Sequence, residues 1–446
     1  MNKSTIKRYN KLMHYDVVII GGGPAGNEVA SYVIHKGWKV AMFEERAFGG
    51  TCLNAGCIPS KGYLHRAKLM SELKRQRIEH DKDNKYFSLE DLQSFSERTI
   101  SRMATGVEQR LSAKGIDVYK ERVTSFGKNK LETATGKQIT FDKLILASGT
   151  KPSFPGILNG IKDLPNVYTN ENIFQLKKLP QTMTIIGGGA IGIEMAFFFS
   201  SFGVSIDLLE AMPSILAYYD EDIIAEAKKM LKKKRVNVLE NVQATAIAED
   251  LTIELSNGNK LKNEFVFVAT GRTLYLPETS LKLDKDKRGF LQVNGNFQTS
   301  EENIYAIGDT NGISLFAHSA ADQGKQLGRY FLKDIPIDHE RVIPSVVYIS
   351  PAIASVGIRE KDANDCVVKK ITYEQLGRAH IEKETEGFMK IIFKNDIIVG
   401  AHLIGAYADE IIAVMCLAVQ EKMNISSLRR LVLAHPTYGE LFVELL

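Results

Sequence analysis

The chain has 446 residues, of which 57 are basic and 53 acidic, and its formal net charge is +4. A chain of this length is expected to hold roughly two to four domains. A charge so nearly balanced argues against a nucleic-acid-binding protein. No apolar run approaches the ~18 residues of a membrane span. We interpret residues 1–14 as an N-terminal extension without a secretory signal, and four cysteines in so long a chain indicate a reducing, cytoplasmic location.

The first recognisable pattern is the stretch "YDVVIIGGGPAGNEVASYVIHKGWKVAMFEE". Its apolar run "VVII" predicts a buried parallel strand. The strand is followed by Gly21-x-Gly23-x-x-Gly26, by a helical segment, and by a second apolar strand that closes on Glu44. This order of elements is typical of a dinucleotide-binding βαβ unit.

Each position in the pattern has a physical reason. The first glycine makes a tight turn, the second lets the backbone approach a pyrophosphate, and the third lets the helix pack closely on the strand. Free N–H groups at the helix start bind phosphates, and the acid that closes the second strand accepts hydrogen bonds from a ribose. A single copy of the pattern would be weak evidence for a nucleotide site.

The pattern occurs a second time, in "MTIIGGGAIGIEMAFFFSSFGVSIDLLE", with Gly187, Gly189 and Gly192 as its glycines and Glu210 as its acid. In both copies the acid lies 23 residues after the first glycine. Glu210 would repel a 2′-phosphate, and residues 211–227 contain no Lys or Arg that could bind one. The second copy is therefore predicted to bind NAD rather than NADP.

Two of the four cysteines, Cys52 and Cys57, lie in "GGTCLNAGCIPSK". A zinc site would need about four Cys or His ligands, and the other two cysteines are isolated. On a straight helix these Cα atoms would be roughly 8–9 Å apart, too far for a disulfide, so the backbone between them must be irregular, which Asn54 and Gly56 allow. A structural disulfide closing so short a loop would stabilise little, and we interpret the pair as reducible and catalytic.

Two shorter motifs lie further along the chain. "IYAIGDTNG" predicts a strand that ends in Gly308 and Asp309, where the carboxylate either accepts a hydrogen bond from a ligand hydroxyl or forms a turn. "LAHPTYGE" contains His435 and Glu440, and a histidine held by a carboxylate can act as a general base near neutral pH. Taken alone, this second motif could equally mark the start of a helix.

The cysteine stretch resembles the active-site signature of the flavoprotein disulfide reductases, the class I pyridine nucleotide-disulfide oxidoreductases. Its Leu-Asn and Ile-Pro-Ser-Lys portions are most similar to the dihydrolipoamide dehydrogenase branch. The resemblance covers almost the whole chain, through both glycine motifs, "ATGR", "IGD" and "HPTYGE" in that order. It implies an α/β fold with two Rossmann-like dinucleotide-binding domains, one for FAD and one for NAD, and a C-terminal α+β dimerisation domain.

The resemblance also implies roles for individual residues. Cys52 and Cys57 would form the redox disulfide, with Cys57 nearer the flavin. His435, oriented by Glu440, would be the base that each subunit supplies to the active site of its partner. The residues implied for cofactor binding are Gly21, Gly23, Gly26, Glu44, Lys61, Gly149, Gly187, Gly189, Gly192, Glu194, Glu210, Gly271, Gly308, Asp309 and Ala317. Among these, Lys61 is expected to pair with Glu194 close to the flavin.

The implied activity is oxidation of protein-bound dihydrolipoamide to lipoamide with reduction of NAD⁺. The partners would be a second copy of the chain and the lipoyl domains of a 2-oxoacid dehydrogenase or glycine cleavage complex, with no metal, nucleic acid or membrane partner. The FAD-binding domain would have two segments, 15–150 and 271–340. The NAD-binding domain, 151–270, would be inserted between them, and the dimerisation domain would cover 341–446.

Two positions depart from the lipoamide type and leave the substrate open. Leu433 stands where such relatives often have a histidine, and Ala352 stands where an acid is expected after the proline of "YISPAIASVG". The alternatives are an NADH-dependent reductase of another small disulfide and a complex-binding flavoprotein subunit with weak turnover.

Overall fold

The computed structural model describes residues 13–77 and 88–444, so most of the predicted N-terminal extension lies outside the described residues. The strands are β1 (Met13–Ile20), β2 (Val40–Glu44), β3 (Asp117–Lys120), β4 (Val123–Phe126), β5 (Lys130–Thr133), β6 (Gln138–Leu146), β7 (Thr150–Pro152), β8 (Val167–Tyr168), β9 (Thr182–Ile186), β10 (Ser205–Glu210), β11 (Val236–Glu240), β12 (Ala244–Ile247), β13 (Thr252–Leu255), β14 (Lys260–Lys262), β15 (Phe265–Val268), β16 (Arg272–Leu274), β17 (Glu278–Thr279), β18 (Ile304–Ala306), β19 (Ser345–Val347), β20 (Ala352–Gly357), β21 (Val367–Thr372), β22 (Phe388–Lys394) and β23 (Ile397–Gly405). The helices are α1 (Pro24–Val33), α2 (Gly50–Ala55), α3 (Cys57–Gln76), α4 (Leu89–Ala113), α5 (Ala190–Ser201), α6 (Glu221–Lys233), α7 (Ala317–Lys333), α8 (Gly377–Glu382), α9 (Ala408–Gln420), α10 (Ile425–Arg429) and α11 (Leu441–Glu444).

The described residues form two compact units. The first contains the chain up to Gly56 together with residues 98–151 and 273–339, and the second contains residues 57–97, 152–272 and the chain from Glu340 onward. Of the described residues, 57–77 and 88–97 thus pack with the second unit, although the sequence assigned them to the first segment of an FAD-binding domain. The predicted domain limits stay a prediction.

The first unit is built on a sheet of order β17-β4-β5-β6-β1-β2-β3, with β18 paired to β6. Strand β1 lies between β6 and β2 and is parallel to both. Because it is covered on both faces, the core of β1 is an unbroken apolar run that is fully buried. Helices α1 and α7 lie against each other, and the close approach requires Gly324 and Gly328, where a Cβ would collide with α1.

Parallel pairing brings the ends of three strands of the first unit to one edge of the sheet. Strands β1, β6 and β18 are neighbours that run in the same direction. Gly21 follows β1, Gly149 lies three residues after the end of β6, and Gly308 follows β18 by two residues. In an open α/β sheet this carboxyl edge is where ligands bind.

The second unit contains the other Rossmann-like sheet, with five strands in the order β11-β10-β9-β15-β8 and all neighbouring strands parallel. Helix α5 packs on this sheet and on α3, and its residues 197–199, three phenylalanines, are at most 1% exposed. These rings are therefore helix core. A small antiparallel sheet, β12-β13-β14, completes this part of the chain.

The C-terminal part of the second unit is an antiparallel sheet of order β19-β20-β23-β22-β21. Helix α9 covers β20 and β23, and together they enclose a separate apolar core. The mixed α/β architecture confirms the predicted fold class of two Rossmann-like domains and a C-terminal α+β domain. Within the part of the chain that the structure describes, no helix has the length and apolar character needed to cross a membrane.

One lysine of the second unit is held in an unfavourable setting. Lys234 follows α6, and its ammonium donates to Ser71 Oγ at 3.0 Å and to Ser201 Oγ at 3.2 Å. Burial, together with the positive charges of Lys74 and Arg75, lowers its pKa to about 8. Below that pH the folded protein must keep this charge partly desolvated, which costs stability.

Replacement of Lys234 by methionine is expected to stabilise the fold at pH 7 by about 1–2 kcal/mol, because the buried charge is removed. Between the folded pKa and the ordinary value of 10.5, the unfolded chain binds the proton and the folded chain does not, so the stability of the wild-type protein rises with pH. The stability gain of the methionine variant over the wild type should therefore shrink by pH 10. Urea unfolding at both pH values measures this, with the exposed Lys229→Met as control. An equal gain at both pH values would contradict the argument.

Candidate active site

The first glycine turn leaves no room for a side chain. Gly21 has φ +110°, and a Cβ there would collide with the carbonyl oxygen of Ala147 at the end of β6. A Cβ at Gly26 would collide with the carbonyl oxygen of Gly21. At Gly23 the nearest atom would be the Cα of Gly50 at 3.8 Å, an ordinary contact. The first and third glycines are thus required by the fold, whereas the protein itself leaves room for a Cβ at the second.

The acid of the first copy is tied to its own turn. Glu44 Oε2 accepts a hydrogen bond from the Gly22 N–H at 2.8 Å, and Oε1 accepts one from the Arg46 N–H at 3.0 Å. Burial raises the pKa of this carboxyl, against the effect of the two backbone N–H donors. The sequence predicted Glu44 only as an acceptor for a ribose, and the structure shows that it also accepts a hydrogen bond from the glycine turn.

The second glycine turn repeats this geometry in the second unit. Gly187 has φ +111°, and a Cβ there would collide with the carbonyl oxygen of Ala269, while Gly192 is confined by Gly187 itself. At Gly189 a Cβ would meet nothing within 4 Å. That open side is the space that a pyrophosphate needs, so the residues present fit a dinucleotide.

Glu210 repeats the role of Glu44 almost atom for atom. Its Oε2 accepts from the Gly188 N–H at 2.7 Å and its Oε1 from the Met212 N–H at 2.7 Å. In each copy the carboxylate therefore bridges the glycine turn and the residue two positions after the acid. Gly271, the other glycine predicted for this site, has φ +100° and accepts a hydrogen bond from the Ser153 N–H at 3.0 Å.

The carboxyl edge of the first unit brings together the other residues predicted for FAD. Asp309 Oδ2 accepts a hydrogen bond from Thr150 Oγ1 at 3.0 Å. The Gly149 N–H donates to Thr310 Oγ1 at 2.9 Å, and the Gly308 N–H donates to Gln323 Oε1 at 2.8 Å.

Ala317 is the first residue of α7, and the N-cap residue Phe316 has no side-chain hydrogen bond to that helix end. A helix N-terminus of this kind offers N–H groups to an electron-rich ligand atom. Together, Asp309 and Ala317 thus offer an acceptor and a donor from the one unit that also holds the first glycine turn.

The two cysteines lie on successive helices. Cys52 is in α2, Cys57 is the first residue of α3, and both are partly buried. The helix breaks at Gly56, which has φ −139° and ψ −113°. Asn54 is helical instead, and its amide donates to the carbonyl oxygens of Ala47 and Gly50 at 2.9 Å. The backbone irregularity that a disulfide between the two cysteines requires is therefore confined to Gly56.

The position of Cys57 favours its thiolate. It begins a helix of 20 residues, and the positive end of the helix dipole stabilises a negative charge within the first turn. Lys61 lies one turn further along the same helix. A helix N-terminus and a nearby cation are common features of reactive cysteines.

Lys61 is held by an ion pair and by an aromatic ring. Its ammonium lies 3.2 Å from both carboxylate oxygens of Glu194, so the predicted pair is formed. It also lies 4.2 Å from the ring centroid of Tyr348, whose backbone N–H donates to Glu194 Oε1 at 3.0 Å. Burial, followed by nearby negative groups that include Cys57, raises the pKa of the Tyr348 phenol.

The histidine–carboxylate pair is formed near the C-terminus. His435 Nδ1 lies 3.1 Å from Glu440 Oε2, and Glu440 Oε1 accepts from the Thr437 N–H at 2.7 Å. The carboxylate side chain is 18% exposed, whereas that of His435 is 78% exposed. A fixed carboxylate thus orients an imidazole that remains accessible to another molecule.

Sequence reasoning missed two residues of these clusters. Thr437 completes a capping box with Glu440, a Thr-x-x-Glu pattern that was visible in the sequence. Tyr348 had no local signal, because it directly follows β19 and its contact with Lys61 of α3 joins residues far apart in the chain.

Comparison with known proteins agrees with this geometry. The profile of the pyridine nucleotide-disulphide oxidoreductases matches residues 15–324, and that of their dimerisation domain matches residues 343–446. The chain belongs to the pyridine nucleotide-disulphide oxidoreductases. The predicted family is therefore confirmed, as are an oxidoreductase activity of this class and the cofactors FAD and NAD.

Individual relatives of this oxidoreductase extend over its whole length. Dihydrolipoyl dehydrogenase of Mycoplasma pneumoniae is 29% identical, covering 97% of this chain and 98% of the relative. Dihydrolipoyl dehydrogenase of Chlamydia muridarum is 32% identical, covering 96% of both. The solved structure of the HOCl-induced flavoprotein disulfide reductase RclA from Escherichia coli superposes with a TM-score of 0.85 at 25% identity, covering 97% of this chain and 99% of that one.

Two glycines of the second turn should respond differently to alanine. Gly189→Ala should fold with an unchanged Tm, because its Cβ meets no protein atom, but should raise the KM for NAD⁺ at least about tenfold by crowding the pyrophosphate. Gly187→Ala should lower the amount of folded protein, because its Cβ collides with Ala269. Thermal unfolding and steady-state kinetics measure both, and a Gly189→Ala enzyme with wild-type KM would contradict the assignment.

Proposed function

We propose that the protein is a dihydrolipoamide dehydrogenase that oxidises protein-bound dihydrolipoamide and reduces NAD⁺. The observation that carries the proposal is the oriented, exposed His435 in a chain that also has Cys57 at a helix N-terminus beside Lys61. A base for a thiol and a stabilised thiolate are the two groups that dithiol oxidation needs.

The proposed reaction begins with proton removal from one substrate thiol by His435, because only the thiolate is nucleophilic. The thiolate attacks the sulfur of Cys52 in the oxidised Cys52–Cys57 pair, forming a mixed disulfide and releasing Cys57 as a thiolate. The His435 imidazolium then releases the first proton to solvent and takes the proton of the second substrate thiol, whose thiolate attacks the mixed disulfide. The sulfur of this second thiolate bonds to the first substrate sulfur, Cys52 leaves as a thiolate, and the electron pair remains on the protein cysteines.

The remaining steps depend on how the protein holds charge. The α3 dipole and Lys61 stabilise the Cys57 thiolate, and Glu194 keeps the lysine in place. Bound FAD would supply the two-electron carrier between the cysteine pair and NAD⁺. Asp309 and Ala317 would hold the flavin portion, and the two glycine turns would hold the pyrophosphates.

The direct test is NADH formation from dihydrolipoamide and NAD⁺ by the purified holoenzyme, with NADP⁺ run in parallel. Fast turnover with NAD⁺ and little with NADP⁺ is expected, because Glu210 opposes a 2′-phosphate. Cys52→Ser should abolish turnover, with Cys366→Ser as a matched control outside the redox pair. Wild-type turnover of the Cys52→Ser enzyme would contradict the mechanism.

A second candidate is an NADH-dependent reductase of another small disulfide. It is favoured by Leu433, which stands beside the proposed base, and by the structural similarity to RclA. If dihydrolipoamide is a poor substrate while NADH still reduces the flavin, this second candidate becomes the better one. A Leu433→His variant that gains dihydrolipoamide activity would then identify Leu433 as the cause.

The base is expected to act across a homodimer, since the chain carries a dimerisation domain and the His435 side chain is exposed. His435→Gln should lower kcat about 10²–10⁴-fold, as loss of a general base does. His14→Gln, an exposed histidine in the first unit, is the control.

Mixing inactive His435→Gln and Cys52→Ser subunits decides where the base acts. If each site takes its base from the partner, random exchange restores roughly a quarter of wild-type activity, because half of the dimers are mixed and each mixed dimer has one intact site. A base used within its own subunit would give no recovery.

A further inference from the structure

The second unit contains a buried charged cluster that the proposed chemistry does not use. Lys390 of β22 is 1% exposed. Its ammonium contacts three carboxylates, at 2.9 Å from Asp220, 2.8 Å from Asp222 and 2.7 Å from Glu360. The three donors of the ammonium are matched by three acceptors, so the buried charge is fully hydrogen-bonded. The His402 Nε2 atom also lies 3.6 Å from Asp220 Oδ2.

This cluster joins two parts of the second unit. Asp220 is the N-cap residue of α6 in the Rossmann-like part, and Asp222 lies in the first turn of that helix. Lys390 belongs to the antiparallel sheet of the dimerisation domain, and Glu360 lies in a short 3₁₀ helix of the same domain. The Glu360 N–H also donates to both carboxylate oxygens of Asp220, at 3.1 and 3.3 Å.

Asp220 ends a segment that covers the second glycine turn. The segment, residues 211–220, leaves β10 after Glu210 and leads into α6. Within it the Leu216 N–H donates to the carbonyl oxygen of Gly188 at 2.9 Å. The Ile215 side chain is close enough that a Cβ on Gly188 would lie 2.6 Å from it. The segment thus rests directly on the turn that is proposed to hold the nucleotide.

The two ends of this segment are fixed by different means. At its start, the Met212 N–H is held by Glu210, and in the middle the Ile215 N–H donates to Glu240 Oε1 at 2.7 Å. At its end, Asp220 is held by Lys390 and by the Glu360 backbone. Loss of the Lys390 ammonium would leave the buried Asp220 carboxylate with only the Glu360 N–H and the neighbouring His402 as partners, which favours its movement toward solvent.

We propose that Lys390 is a positioning residue for the pyridine nucleotide, acting through Asp220 to hold residues 211–220 against the second glycine turn. The dimerisation domain thereby sets the affinity of the nucleotide site without touching the nucleotide. This inference rests on the proposed assignment of NAD to that turn.

The test is calorimetric titration of the oxidised holoenzyme with NAD⁺, which binds without electron transfer. Asp220→Asn keeps an oxygen for the Glu360 N–H but removes the charge that attracts Lys390, and it should raise the Kd for NAD⁺ about tenfold. Lys390→Met should act in the same direction, and Lys390→Arg should recover part of the affinity. Flavin reduction by dithiol without nucleotide should stay within about twofold of wild type.

The matched control is Lys370→Met. Lys370 is partly exposed, and its ammonium contacts Asp222 at 3.0 Å rather than Asp220. Its removal should leave the Kd unchanged. If Lys390→Met does not fold, Asp220→Asn decides the question alone.

Three results would overturn the inference. They are a wild-type Kd in Asp220→Asn, equal weakening in Lys370→Met, and loss of dithiol-driven flavin reduction together with nucleotide binding. A wild-type enzyme that binds no NAD⁺, with Gly189→Ala also without effect, would instead overturn the nucleotide assignment and with it this inference.

Discussion

The constraint on which the rest of this structure depends is the missing Cβ at two strand-to-helix turns. At Gly21 and Gly187 the backbone has positive φ and passes against the carbonyl group that follows a neighbouring strand. Any side chain would force the strands apart and misdirect the helix. Because each helix begins at this turn, its N–H groups point to the space beside the second glycine, where a phosphate would lie. Steric exclusion therefore shapes both of the proposed nucleotide sites.

The two acids extend this constraint from shape to charge. Glu44 and Glu210 each accept a hydrogen bond from the middle glycine of their turn, at 2.8 and 2.7 Å. A carboxylate in this position holds the turn rigid and leaves lone pairs for a ribose. The same residue thus holds the turn and is placed to serve the proposed ligand. At Glu210, the proposed rejection of a 2′-phosphate would follow from that shared role, because the charge cannot be removed without loosening the turn.

In the second unit, two lysine side chains are held in place by carboxylates from other elements. Lys61 is held between Glu194 and the Tyr348 ring, and it projects from the helix that begins at Cys57. Lys390 is held by three carboxylates at the base of a segment that covers the second turn. A buried lysine such as Lys390 is costly unless its hydrogen bonds are satisfied, so it constrains the elements that supply its partners. By contrast, His435 is exposed and only its carboxylate is fixed, as expected for a base that must reach another molecule.

What the sequence determined by itself was whatever depends on residues close together in the chain. Each of these features lies within a short segment: the two glycine turns with their acids, the cysteine pair, and the His435–Glu440 pair. Their chemistry can therefore be predicted from local sterics and residue spacing. The break at Gly56 was required by the same geometry, although its confinement to one residue was not foreseen. Tertiary structure alone decided that Tyr348 covers Lys61 and that Lys390 meets Asp220. Those contacts join distant segments through the order in which strands pair and the faces on which helices pack, and no local pattern encodes which carboxylate a buried lysine will reach.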